Sequence, residues 1–69
     1  MKKYLVVFEK AEKNYSAYSP DLPGCVATGR SRNEVESNIK EAIQFHVDGM
    51  KEDGLSLPEQ TSFTEYVEV

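Results

Sequence analysis

Three side chains could do chemistry beyond packing: Cys25, His46 and Asp21. A reactive thiolate needs a neighbouring cation or a helix N-terminus. Cys25 instead follows a Pro-Gly pair, where a small apolar residue packs well, and the packing reading is favoured. His46 falls within a helical apolar stripe. The sequence places no nucleophile or orienting carboxylate beside it, so it reads as a histidine at the rim of the core. Asp21 precedes the turn, where it can cap the backbone as an Asx residue. It can also offer a carboxylate to a partner, and the two roles can coexist. Neither Cys25 nor His46 has a close Cys or His companion, so no metal-ligand spacing is present. There is no Gly-rich phosphate loop. Tyr4, Tyr15, Tyr18 and Tyr66 could stack on bases as in strand-based RNA binders. Strand aromatics and interface residues are the favoured reading. Glu36, Glu41, Asp48 and Glu52 read as a solvated helix face. No acid, base and nucleophile assemble, so no catalytic residue, no cofactor and no enzymatic activity are expected.

The elements that position these residues follow from pattern. Tyr4–Phe8 is a run of β-favouring residues without polar alternation, which predicts a first strand buried on both faces. Residues 10–14 are a polar connection, and Tyr15–Ser19 alternates as a second strand. In Leu22-Pro23-Gly24-Cys25, Pro presets the first central angle of a type II turn and Gly accepts the positive φ of the second. A third strand, Cys25–Gly29, follows. Ser31-Arg32-Asn33-Glu34 is a capping box: the Ser31 hydroxyl accepts from the Glu34 N–H and the Glu34 carboxylate answers back. The helix is predicted to run to about Asp53, with Gly54 as its C′ residue and Pro58 blocking resumption. Val35, Ile39, Ala42, Ile43, His46 and Met50 share one face, flanked by Phe45 and Val47. Residues 62–69 are predicted as a fourth strand.

The expected fold is therefore α+β, a single domain over residues 1–69 with element order β-β-β-α-β. The doubly apolar first strand belongs in the centre, giving spatial order 3-2-1-4 with a right-handed crossover. One helix covers one face of such a sheet. Leu5 and Val7 point away from it, and with Tyr66 they are the candidate oligomer or partner face. A homodimer or higher homo-oligomer is expected to cover them.

Length and charge narrow the function. Sixty-nine residues bury a thin core, and a single cysteine excludes an internal disulfide. Net charge is −4, from 12 acidic and 8 basic residues. The basic clusters Lys2-Lys3 and Arg30-x-Arg32 are too small to replace phosphate counterions, so direct nucleic-acid binding is disfavoured. A basic protein partner suits the acidic surface better. The apolar run at the N-terminus is too short for a signal peptide or a membrane span, so a soluble, cytoplasmic protein is expected.

The segment Ser19-Pro20-Asp21-Leu22-Pro23-Gly24-Cys25, then Gly29, a capped helix with Glu41-Ala42-Ile43 and His46, then Glu52-Asp53-Gly54 and Pro58, resembles the HicB-like antitoxins. The resemblance runs through nearly the whole chain. It implies a partial ribonuclease-H-like fold and a protein that binds and occludes a HicA-like mRNA-cleaving toxin. On that reading Asp21 and Leu22 are the candidate contacts, while Pro23, Gly24 and Cys25 shape the turn. Many members carry a C-terminal DNA-binding segment. This sequence stops at Val69, directly after the expected fourth strand, so no direct DNA binding is expected. Ribonuclease H chemistry needs metal-binding carboxylates beginning on the first strand, and Tyr4–Phe8 has none. The alternatives are an orphan homo-oligomeric module of the same family and a small RNA-binding protein.

Overall fold

The computed structural model describes residues 2–69. It contains β1 (Val7–Lys10), β2 (Tyr15–Tyr18), β3 (Val26–Gly29) and α1 (Arg32–Glu52). The three strands form one antiparallel sheet in the order β1-β2-β3. Val7, Tyr18 and Val26 stand in one row across it, and Phe8, Ala17 and Ala27 in the next. Successive side chains alternate between faces, so the Ala17 row faces α1 and the Val7 row faces away.

The local signals behave as chemistry dictates. The Ser31 hydroxyl accepts from the Glu34 N–H at 3.1 Å. The Glu34 carboxylate reaches one residue further back than expected and accepts from the Arg30 N–H at 2.9 Å. At the other end, Asp53 is the C-cap and Gly54 adopts φ 72°. The Leu55 N–H donates to the Met50 carbonyl and the Gly54 N–H to the Lys51 carbonyl, the paired bonds of a Schellman motif.

The core is small: Ala17, Leu22, Cys25, Val35 and Ile39 are buried. Tyr4, Val6, Tyr15, Ala27, Ala42 and Ile43 pack around them. Gly29 sits directly beneath the first turn of α1, where an added Cβ would lie 2.5 Å from the Val35 nitrogen. This glycine is required by close approach and not by its φ.

Two expectations are corrected. The first strand begins at Val7 and not Tyr4: the Leu5 carbonyl accepts from the Ser19 hydroxyl in place of a strand partner, and the Tyr4 hydroxyl donates to the Pro58 carbonyl. The fourth strand of the expected 3-2-1-4 order does not form; residues 62–69 make no strand. The segment does run beside β1, since Val6, Val7 and Phe8 line one cleft with Thr64, Glu65 and Tyr66. It lacks the ladder because Glu65 and Glu68 break its alternation, and Phe63 (80% exposed) and Val67 (75%) have no second layer to bury against. The radius of gyration, 13.3 Å, exceeds the roughly 11 Å of a compact domain this long, in keeping with a C-terminal segment lying outside the core.

Candidate partner-binding surface

The turn Asp21–Cys25 is built from three backbone hydrogen bonds. The Leu22 N–H donates to the Ser19 carbonyl, the Cys25 N–H to the Leu22 carbonyl and the Ser19 N–H to the Cys25 carbonyl, each at 3.1 Å. Gly24 takes φ 82°, as a type II turn requires of its third residue. The loop so closed drives Leu22 inward. Its side chain is 0% exposed, the most buried in the core. Leu22 therefore has no surface to present in this conformation, contrary to its expected role as a contact. Cys25 is buried beside it, and burial pushes its thiol pKa up, away from a reactive thiolate.

Asp21 has a different occupation from the one its position suggests. Its carboxylate accepts from the Ser62 N–H at 3.2 Å, the Ser62 hydroxyl at 2.9 Å and the Thr61 hydroxyl at 3.2 Å. With Tyr4 on Pro58, it pins the chain after α1 to the sheet. Nothing in the sequence marks Thr61 and Ser62, because contacts across 40 and 41 positions leave no periodic signal. Burial raises the Asp21 pKa, but the hydrogen bonds from Ser62 and Thr61 outweigh it and hold the carboxyl below its ordinary 3.8. A folded-state pKa below the unfolded one means the attachment is complete above the ordinary value and is lost as pH falls through the lowered one. The Ser62 amide is thus expected to stay protected, relative to its intrinsic exchange rate, at neutral pH and to lose that protection only as pH falls below the ordinary carboxylate value. In Asp21→Asn the protection should be lost at neutral pH too. Unchanged exchange in that variant would remove the carboxylate from this role.

Two exposed surfaces remain. The open sheet face carries Val7, Tyr18 and Val26, with Val26 65% exposed. Beside the turn, Gly24, Cys25 and Val26 and the α1 residues Glu41, Phe45, His46 and Asp48 line the rim of an open groove of about 660 Å³. Phe45, expected to flank the helix stripe, is 83% exposed there. Among the described residues, the hydrogen bonds include none from His46 to a nucleophile or carboxylate, and no three His, Cys, Asp or Glu residues are grouped to hold a metal. Among the described residues, no helix is long and apolar enough to cross a membrane.

Comparison with known proteins gives a consistent picture. Residues 4–69 match the profile of the HicB-like antitoxins of bacterial toxin-antitoxin systems. A UPF0150 protein of Helicobacter pylori is 44% identical over 50 residues, covering 72% of this chain and 69% of that protein. One from Thermoplasma acidophilum is 37% identical over 57 residues, covering 81% and 83%. An uncharacterised protein of Haemophilus phage HP1 is 39% identical over 64 residues, 93% of this chain but 48% of its own length. This chain thus spans about half of that phage relative. Among solved structures, a chain of the HicA3 and HicB3 toxin-antitoxin complex superposes with a TM-score of 0.69 at 25% identity, over 86% of this chain and 70% of that one.

Proposed function

We propose, from the premise that this chain belongs to the HicB-like antitoxins, a non-enzymatic family, that it binds a HicA-like toxin and occludes the surface through which that toxin reaches RNA. The observation that carries this reading is the superposition on a chain of the HicA3–HicB3 complex, which covers most of this domain. The net charge of −4 supports it, because an acidic protein meets a basic one quickly and rejects acidic competitors. The core is read as a partial ribonuclease-H-like unit that serves as a scaffold and not as a nuclease. A cytoplasmic location belongs to the same reading.

Contacts are assigned to what is exposed. Asp21 contributes indirectly, by holding the C-terminal segment in place, and Leu22 by supporting the turn from inside. Self-association through the open face, with Leu5, Val7 and Tyr66 at its edge, completes the proposal. It is supported by the exposure of Tyr18 and Val26 on that face.

The test is co-expression with the short basic reading frame adjacent to this gene. Growth arrest by that frame should be relieved by this chain, and the two products should copurify as a complex. A neighbour whose toxicity persists, and which does not copurify, would defeat the antitoxin reading for that pair.

A further inference from the structure

Beside the turn, α1 presents one aromatic ring among carboxylates. Glu41, Phe45, Asp48 and Glu52 are spaced four, three and four residues apart, which places them within about 60° of one another round the helix. All four are exposed. Phe45 is the exposed large hydrophobic of α1, while Val35 and Ile39 are turned into the core. Phe45 is not among the side chains packed on that core, and phenylalanine is a poorer helix former than alanine, so the isolated fold gains little from the ring. Glu41, Phe45 and Asp48 line the open groove together with Val26, which is itself exposed. Among the described residues, no lysine or arginine lines this groove. The lysines of the second half of α1 and of its middle stand elsewhere: Lys51 and Lys40 line clefts that they share with Tyr4. The groove thus combines apolar walls with an acidic rim.

We propose that this groove is the docking site for the basic toxin, with the Phe45 ring as anchor and Glu41 and Asp48 as the charges that orient the partner; the inference rests on the antitoxin reading above and names the surface that reading leaves open. Charge selects the occupant. A second copy docked through the same face in an isologous contact would bring Glu41, Asp48 and Glu52 against the same carboxylates, and like charges repel. Nucleic acid and an anionic membrane surface are repelled by the same residues. A cationic protein surface meets the rim with opposite charge, which speeds encounter and fixes orientation. Burying the ring then gives such a contact an aromatic centre inside a polar rim, the usual anatomy of a specific interface. The open sheet face fits this partner less well, because its row Val7, Tyr18 and Val26 contains no carboxylate to complement a basic surface.

Titration of the full chain with the purified product of the adjacent basic reading frame tests this. Phe45→Ala should raise the dissociation constant about tenfold or more, the effect of losing an interface anchor, with thermal melting unchanged or slightly raised. Association of the parent should slow as salt is added, and the paired change Glu41→Lys and Asp48→Lys should slow association at low salt and flatten that dependence. Tyr18→Ala, on the open sheet face, should bind as the parent does. A parent that forms no complex with the neighbour would overturn the inference together with the antitoxin reading. A parent that binds and neutralises the neighbour, with the Phe45 and the paired charge variants binding equally well, would overturn the inference alone. Two further results would do the same. One is binding lost in Tyr18→Ala and kept in Phe45→Ala, which places the contact on the sheet face. The other is a Phe45→Ala protein that melts well below the parent, which makes the ring part of the fold.

Discussion

Leu22→Ala is expected to cost about 2–5 kcal/mol, as truncation of a fully buried leucine does. A domain of this length has a total stability of roughly 3–10 kcal/mol, so much or all of it is at stake. The core explains the severity. Among the described residues, five hydrophobic side chains are buried, and Leu22 and Val35 are the largest fully enclosed ones. With so few neighbours, the cavity cannot be refilled without dismantling the turn that delivers Leu22. Urea unfolding should show a midpoint shifted strongly downward with an unchanged slope. Leu22→Met, which keeps the volume, should lose less than about 1.5 kcal/mol. The pair separates a core role from a contact role. A contact residue would weaken partner binding in Leu22→Ala and leave the midpoint where it was.

Gly29→Ala is the second large effect, by the opposite mechanism. The new methyl would lie 2.5 Å from the Val35 nitrogen, 2.8 Å from its Cα and 3.0 Å from the Glu34 carbonyl carbon. All three are backbone atoms of the first helical turn, so no side chain can rotate away. Only Arg30 and Ser31 connect β3 to α1, and the helix cannot retreat without straining that link or lifting Val35 from the core. Overpacking of this kind costs about 1–3 kcal/mol, occasionally more. Gly49→Ala is the control. It lies within α1 with nothing within 4 Å of the added atom, and alanine there should stabilise the helix by roughly 0.5–1 kcal/mol. Thermal melts of the two variants should therefore move in opposite directions. A Gly29→Ala protein as stable as the parent would mean that β3 and α1 are not packed this closely.

Local chemistry was legible in the residues themselves. The type II turn, the Ser31 cap, the Gly54 stop and the helix between them depend on interactions spanning a few positions, which the chain order displays directly. The resemblance carried by Pro20–Cys25 and Gly29 pointed to the family that the profile match establishes over residues 4–69. The helix face was readable too, with Val35 and Ile39 buried as their spacing requires.

What only the tertiary structure decided lies in contacts between distant positions. Pro-Gly spacing defines the turn's shape but not which way its first residues point, and Leu22 proves to be core. Asp21 has the composition of a turn cap, yet its oxygens are taken by Thr61 and Ser62, 40 and 41 positions away. Gly29 stands at the end of β3, and its necessity comes from a helix backbone pressed against it. Residues 62–69 carry strand propensity, but a strand exists only where a neighbour accepts its hydrogen bonds and a layer covers its side chains. Sequence determines that preference, and only the three-dimensional arrangement determines whether it is satisfied within one chain.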